Sequence, residues 1–305
     1  IHRGRVAYEP NSLGGGCPFQ AGAAGFVSVP ALAERNDHKV RGKAERFADH
    51  YTQATLFWNS QTAVEKTHII NAFRFELSKV QTPAIRERMV SGLMNVASEL
   101  GESVARGLGI EKMPEPMPKV LQSRVRPEVK ASRPLSLFAR PGDGSIKARR
   151  IALLIADGAN SEQANGIAQR LAAKGAVPVF VAPHLGRVVT DGEAIQADAS
   201  LEVTPSVVFD AMVLIDGNHS SAILAGDGRA VEFVKDQYRH CKPIMVLAGA
   251  LPVLDKAGIP RTLANGKPDT GLILAAAGGQ PPIDQFISAI AAHRHFDRES
   301  DPPVV

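Results

Sequence analysis

Two cysteines and nine histidines, with a scatter of serines, are the side chains here that could attack or activate a substrate. Cys241 follows His240, and a thiol beside an imidazole is a pair that nucleophilic catalysis uses. Adjacent positions at a helix end do not face each other, however, so that imidazole is badly placed to serve that thiol. His219-Ser220-Ser221 offers a second arrangement, a hydroxyl nucleophile assisted by a histidine, and solvated loop polarity is the plainer and preferred reading. Gly14-Gly15-Gly16 invites comparison with a phosphate loop. It lacks the following Lys-Ser/Thr and the strand-to-helix setting, so a flexible connector is expected. Cys17 and Cys241 fall in different predicted domains, which gives neither a disulfide framework nor metal-ligand spacing. His68 has no partner at ligand spacing and is read as a structural histidine.

The elements that would position these groups begin at Arg150. Ile151 to Ile155 is a continuous apolar run, as expected for a strand buried on both faces. Ser161 is the expected cap of a helix carrying Ala164, Ile167, Ala168 and Leu171, which Gly175 ends. Val177–Val181, Ala211–Ile215, Pro243–Ala248 and Gly271–Ala275 read as further strands. Ala230–Tyr238, Leu251–Lys256 and Ile283–Ala292 read as helices. Val188–Ala197, with Asp191-Gly192 in its middle, reads as a hairpin excursion. Alternating strands and helices predict a mainly parallel sheet covered on both sides, a flavodoxin-like three-layer sandwich over 149–305. Ligands on such sheets bind beyond the carboxyl ends of the strands. The candidates there are Asp157-Gly158, the run Asp216 to Ser221, and Ala248-Gly249-Ala250. Cys241 is expected at the opposite, amino-terminal end.

Upstream the periodicity is helical. Thr62 and Glu65 have the spacing of a capping box, in which each side chain takes the other's free backbone amide. Ile69, Phe73, Leu77 and Val80 follow on one face. Phe57, Trp58, Phe73 and Phe75 make this stretch the expected packing centre. A helix is predicted over Arg46–Thr55. Thr82-Pro83 opens another helix, with the proline where its missing amide costs nothing, and Gly101 is expected to stop it. Glu102–Leu108 is a shorter one. Residues 45–110 are therefore expected to form a small all-α bundle. Met113-Pro114-Glu115-Pro116-Met117-Pro118 enforces extended backbone, and 111–148 is the predicted connector, anchored through Leu135 to Phe138. Residues 1–44, including a short strand at Val6–Tyr8 and a loop over Asn11–Pro18, are expected to wrap across another surface.

A chain of 305 residues has room for two cores. No apolar run approaches the roughly 20 residues of a membrane helix. The chain opens on Ile1, not methionine, and no secretory pattern follows. The expectation is a soluble, cytoplasmic protein, either a fragment or a processed product. The net charge is +4, yet Lys147-Ala148-Arg149-Arg150 is the only tight basic cluster, read as a solvated boundary. Nucleic-acid binding would need a basic stripe or a known module, and neither is present.

The wording of several stretches resembles one family. LFWNSQT from Leu56, HIINAFRFELSKV from His68 and IRERMV from Ile85 are similar to the helical domain of monofunctional haem catalases. VAYEPNSL from Val6 and KVRGKAERFADHYTQA from Lys39 fit the segment before it. A further domain after the helices marks the large-subunit members. The α/β part is itself similar to the class I glutamine amidotransferase superfamily. Setting Gly249 on that family's turn glycine puts Leu247 at the position of its nucleophilic cysteine and Ala248 at its usual histidine. Asn160 then stands where the intracellular-protease branch carries a helper glutamate. Neither Leu247 nor Ala248 can attack a carbonyl.

What the resemblance implies is a haem enzyme that disproportionates hydrogen peroxide, usually tetrameric. The family's proximal tyrosine, distal histidine and haem-enclosing barrel all precede VAYEPNSL. Tyr8, Tyr51 and Tyr238 match no ligand motif. The chain is therefore expected to be the carboxyl-terminal part of such a catalase, without the barrel and inactive alone. Its expected role is packing and subunit association in a homo-oligomer, with no nucleic-acid or membrane partner. No catalytic, cofactor-binding or metal residue is assigned. A stand-alone scaffold derived from a catalase, and a hydrolase or amidotransferase using the second domain, are the alternatives.

Overall fold

The computed structural model describes residues 41–121 and 127–305. The expected strand at Val6–Tyr8, the Gly14–Gly16 loop, Cys17 and nearly all of the expected wrapping segment lie outside the described residues. Residues 41–50 and 119–121 belong to one compact unit, and 51–118 and 127–305 to the other. The first unit contributes a 3-10 turn over Glu45–Ala48.

In the second unit, α1 (Thr52–Ser60), α2 (Ala63–Ser78), α3 (Pro83–Met94) and α4 (Ser98–Gly107) come first. The expected capping box is present. Glu65 N donates to Thr62 Oγ1 at 3.3 Å, and Thr62 N donates to Glu65 Oε2 at 2.8 Å. Three expectations need correction. The helix predicted over 46–55 instead begins at Thr52 and runs through Trp58. Gly101 does not stop a helix: the break falls at Asn95–Ala97, and Gly101 lies within α4. A side chain there would collide with Met94, so the glycine permits α4 to fold back closely on α3. Of the aromatic packing centre, Trp58 is buried and Phe73 partly so, whereas Phe57 and Phe75 are exposed.

The connector is held by polar contacts. Met117 N donates to Ser91 O at 3.0 Å, and Asn95 Nδ2 to Met117 O at 2.7 Å, which lays the proline-rich run along α3. Further on, Ser136 Oγ and Leu137 N each donate to the Glu65 carboxylate at 2.8 Å. Burial pushes this carboxyl up, but hydrogen bonds from Thr62, Ser136 and Leu137 outweigh it and leave the group below its ordinary range. The expected anchor at 135–138 is real, though Leu137 itself faces solvent.

The remainder is an α/β domain. β1 (Arg150–Leu154), β2 (Val177–Ala182), β5 (Ala199–Ser200), β6 (Ala211–Leu214), β7 (Ile244–Val246) and β8 (Leu272–Leu274) form a parallel sheet in the order β5-β2-β1-β6-β7-β8. β3 (Gly186–Val188) and β4 (Ile195–Ala197) pair as the expected antiparallel excursion. Alternate side chains take opposite sides, as strand geometry requires. Ile151, Leu153, Val213 and Met245 share a core with Ile167 and Leu171 of α5 (Ser161–Ala173) and Phe286 and Ile290 of α9 (Ile283–Ala292). Ala152, Leu154, Met212 and Val246 pack with Leu224, Phe233, Val234 and Val253. Those residues come from α6 (Asn218–Gly226), α7 (Gly228–Arg239) and α8 (Leu251–Lys256). This is the three-layer sandwich expected. Helix α6 is new, since its first residues read as a polar loop. The cap of α5 is Asn160, whose side chain accepts from Gln163 N at 2.8 Å, and Ser161 is its first helical residue.

Candidate functional site

The sheet changes direction of travel between β1 and β6, because the chain first builds outward to β2 and β5 and then returns to β6. A switch of this kind opens a crevice beyond the carboxyl ends of the two strands. Here backbone and short polar side chains fill it. Gly217, at φ +136°, abuts the Gly158 carbonyl so closely that any side chain would collide with it. Asn160 N donates to Asp216 O at 2.8 Å, and Gly158 N to Val189 O at 2.7 Å. Val189 N in turn donates to Asp157 Oδ1 at 2.8 Å. Asp191, at the tip of the β3–β4 excursion, accepts from Ser161 N and from Asn160 Nδ2, both at 2.9 Å. The sequence marked Asp191 only as a turn residue. Its service to the start of α5 depends on where the hairpin folds.

The serine candidates sit in this closed crevice and not in a solvated loop. Ser220 and Ser221 belong to the first turn of α6 and are essentially inaccessible. Ser220 Oγ accepts from Ala156 N at 2.9 Å and so ties α6 to the end of β1. Ser221 Oγ is buried without a hydrogen-bond partner. His219 is exposed and stands over Gly158, whose added Cβ would lie 2.7 Å from His219 Cβ. A general base must be within hydrogen-bond reach of the proton it removes, and no His219–serine hydrogen bond exists among the described residues.

Beside the crevice lies an open cavity of about 480 Å³ over the ends of β6, β7 and β8. Gln163 and Arg170 of α5, Asp216, Leu247-Ala248 and the Gly278-Gly279 turn line it. Gln163 Oε1 is buried there without a partner. Arg170 pairs with Asp284 of α9 at 2.7 Å, both largely exposed. Leu247 emerges from β7 at φ −77°, ψ 153°, an ordinary extended conformation, and its side chain is buried. Gly249 follows, packed against the Asp216 carboxylate so tightly that no larger residue fits. The turn from β7 into α8 thus exists, with an aliphatic group where acyl transfer would need a nucleophile. The arrangement can hold a polar molecule and contains no nucleophile–base pair.

Cys241 lies at the other end of the sheet, as expected, with 1% exposure. Burial pushes its thiol up to about 11, so it stays protonated and unreactive at neutral pH. Its role is conformational. α7 ends in a Schellman motif, with Lys242 N donating to Gln237 O and Cys241 N to Tyr238 O, and Cys241 occupies the left-handed position at φ +56°. His240 is exposed beside it. His68 is satisfied from a distance: Nε2 lies 2.7 Å from Glu299 Oε1, and its ring meets Phe296 edge-on at 5.1 Å. That contact fastens α2 to the carboxyl-terminal tail.

Residues 44–108 match the family described as catalase-related immune-responsive, and residues 147–300 match the C-terminal domain found in long catalases. The chain belongs to the long catalases. It is similar to Catalase C of Rhizobium meliloti, 39% identical over 97% of this chain and 40% of the relative. Catalase HPII of Pseudomonas putida is 36% identical over 98% of the chain and 40% of the relative. Catalase HPII of Mycobacterium avium is 36% identical over 99% and 42%. The chain spans about two-fifths of the length of these relatives, and corresponds to the carboxyl-terminal portion of a long catalase.

Haem iron is held by His, Cys, Met or Tyr, and the strand-end cavity does not fit the group. The cavity over the strand ends is lined by none of these four residue types. Tyr238 is buried beneath the Arg298 guanidinium, 4.7 Å from its ring centre. Among the described residues no His/Cys/Asp/Glu cluster could hold a metal ion, and no helix is long and apolar enough to cross a membrane.

Proposed function

We propose that this chain serves as the carboxyl-terminal part of a haem catalase that converts hydrogen peroxide to water and dioxygen. The observation that carries the reading is continuity: single alignments to catalases run through 97–99% of the chain, across both the helical and the α/β parts. Haem and the residues that act on peroxide belong, in this reading, to the portion of the catalase outside this chain. No residue here is assigned to either.

The working division is 1–44 wrapping, 45–110 helical, 111–148 connector and 149–305 flavodoxin-like. The chain contributes packing and subunit association in a cytoplasmic homotetramer, and its α/β domain keeps a fold without acyl-transfer chemistry. Phe57, Phe75, Ile85 and Met89 of the helices are exposed, and the packing role supposes that another part of the assembly covers them.

The test is an absorption spectrum of the chain expressed with haem, read beside oxygen release from peroxide. The same pair of measurements is made on the longer catalase polypeptide. The expected result is a Soret band and oxygen only from the longer polypeptide. Turnover by the chain alone would overturn the assignment of the haem site, and turnover by neither would overturn the catalase reading.

A further inference from the structure

At the amino-terminal end of the sheet, two cations stand without an ion-pair partner among the described residues. Lys242, just before β7, is 2% exposed. Its Nζ donates to the carbonyls of Ser206 at 3.2 Å and Val207 at 3.1 Å, and it has no ion-pair partner among the described residues. Arg294 is half-buried nearby, and its guanidinium donates to the His293 carbonyl at 3.2 Å. It too lacks a carboxylate among the described residues.

The acidic groups of the neighbourhood are engaged elsewhere. Asp210 pairs with Arg149 at 3.1 Å and lies 3.8 Å from His293. Glu299 is held by His68, and Glu232 and Asp236 pair with Arg239. Removing charges from water is costly unless a counter-charge and hydrogen bonds replace the solvent. The unmatched cations face an open cavity of about 320 Å³, lined by Val207, Arg239, His240, Lys242, Arg294 and Glu299.

We propose that this cavity binds a small oxyanion of the phosphate class, held by Lys242, Arg294 and His240. A guanidinium offers a planar fork to two oxygens, an ammonium adds a point charge, and an imidazole adds a third donor; together they suit a tetrahedral oxyanion. The volume leaves room for a group esterified to it. Burial and the charge of Arg294 lower the Lys242 ammonium to about 8, which still leaves it charged at pH 7. A bound anion would relieve the repulsion between the two cations. The inference is independent of the peroxide chemistry, whose residues the proposed function places outside this chain.

Isothermal titration of the full chain with inorganic phosphate, in chloride of matched ionic strength, tests it. Saturable binding at one site per chain is expected, weakened roughly tenfold or more in Arg294→Gln, which removes a charge-assisted donor. His240→Gln serves as a second variant should Arg294→Gln fail to fold, with weakening again expected. A parallel titration with glycerol phosphate distinguishes the sources. Tighter binding of the ester assigns an organic phosphate, and equal binding assigns the free ion. No saturable binding in the wild type, or unchanged affinity in the folded variants, overturns the proposal.

Discussion

The two ends of the parallel sheet treat their polar groups differently. At the carboxyl end, where this fold usually places its ligands, most polar groups are committed to local structure. Ser220 holds an amide of the β1 end, Asn160 caps α5, Asp191 secures the first turn of that helix, and Asp216 lies against Gly249. At the amino end the groups divide. Arg298 and Asp269 form a buried ion pair at 2.6 Å, and the same guanidinium donates to Lys242 O at 2.6 Å. Lys242 and Arg294 face a cavity whose one lining carboxylate among the described residues, Glu299, is held by His68. Structural hydrogen bonding fills the crevice between β1 and β6 and leaves only the open cavity beside it, while cations without an ion pair among the described residues stand at the end where the fold gives no reason to look.

Five substitutions probe that contrast. Arg298→Ala should have the largest effect, about 3–5 kcal/mol, because it strands Asp269 as a buried unpaired carboxylate. Denaturant midpoints measure it, and a loss below about 1 kcal/mol would mean that the pair is not desolvated as described. Gly217→Ala should cost at least about 3 kcal/mol, through backbone strain at φ +136° and collision with Gly158. A mild effect there would show that the crevice can reopen.

Ser220→Ala should cost about 1–3 kcal/mol by orphaning the buried amide of Ala156. Its neighbour Ser221→Ala should be nearly neutral, since that hydroxyl has no partner to lose. Equal effects at the two serines would contradict their different roles.

The smallest effect concerns pH. Burial and Arg294 pull His293 down to about 4 from 6.5, so the unfolded chain takes up a proton between these values and the folded chain does not. Stability therefore falls as pH drops through that window. His293→Asn removes the ionisation, so the slope should flatten. The ring is 43% exposed and solvent screens it, which limits the difference to below about 1 kcal/mol. An unchanged slope would place the acid sensitivity elsewhere.

Much of the architecture was legible because it rests on local patterning. The apolar run Ile151–Ile155, the capping box at Thr62 and Glu65, and Gly175 after α5 each carry their own signal. The errors share a cause. Gly101 looked like a helix stop because glycine often is one, yet its role here is to let α4 approach Met94. Ser220 and Ser221 looked like loop polarity because their immediate neighbours are polar, and only the packing of α6 on the sheet buries them. His68 is engaged by Glu299, a partner that nothing near it in sequence could name.

What the sequence by itself determined was the order of elements, the parallel sheet, the missing nucleophile at Leu247 and the likeness to long catalases, because each is written in residue identity and short-range spacing. The tertiary structure alone decided which polar groups are spent and which are left over. Asp191 reaching α5, Glu65 gathering the connector, Asp269 matched to Arg298 and Lys242 bonded only to carbonyls among the described residues all depend on residues far apart in the chain. Burial turns such pairings from minor surface contacts into strong constraints, and burial exists only once the chain has folded.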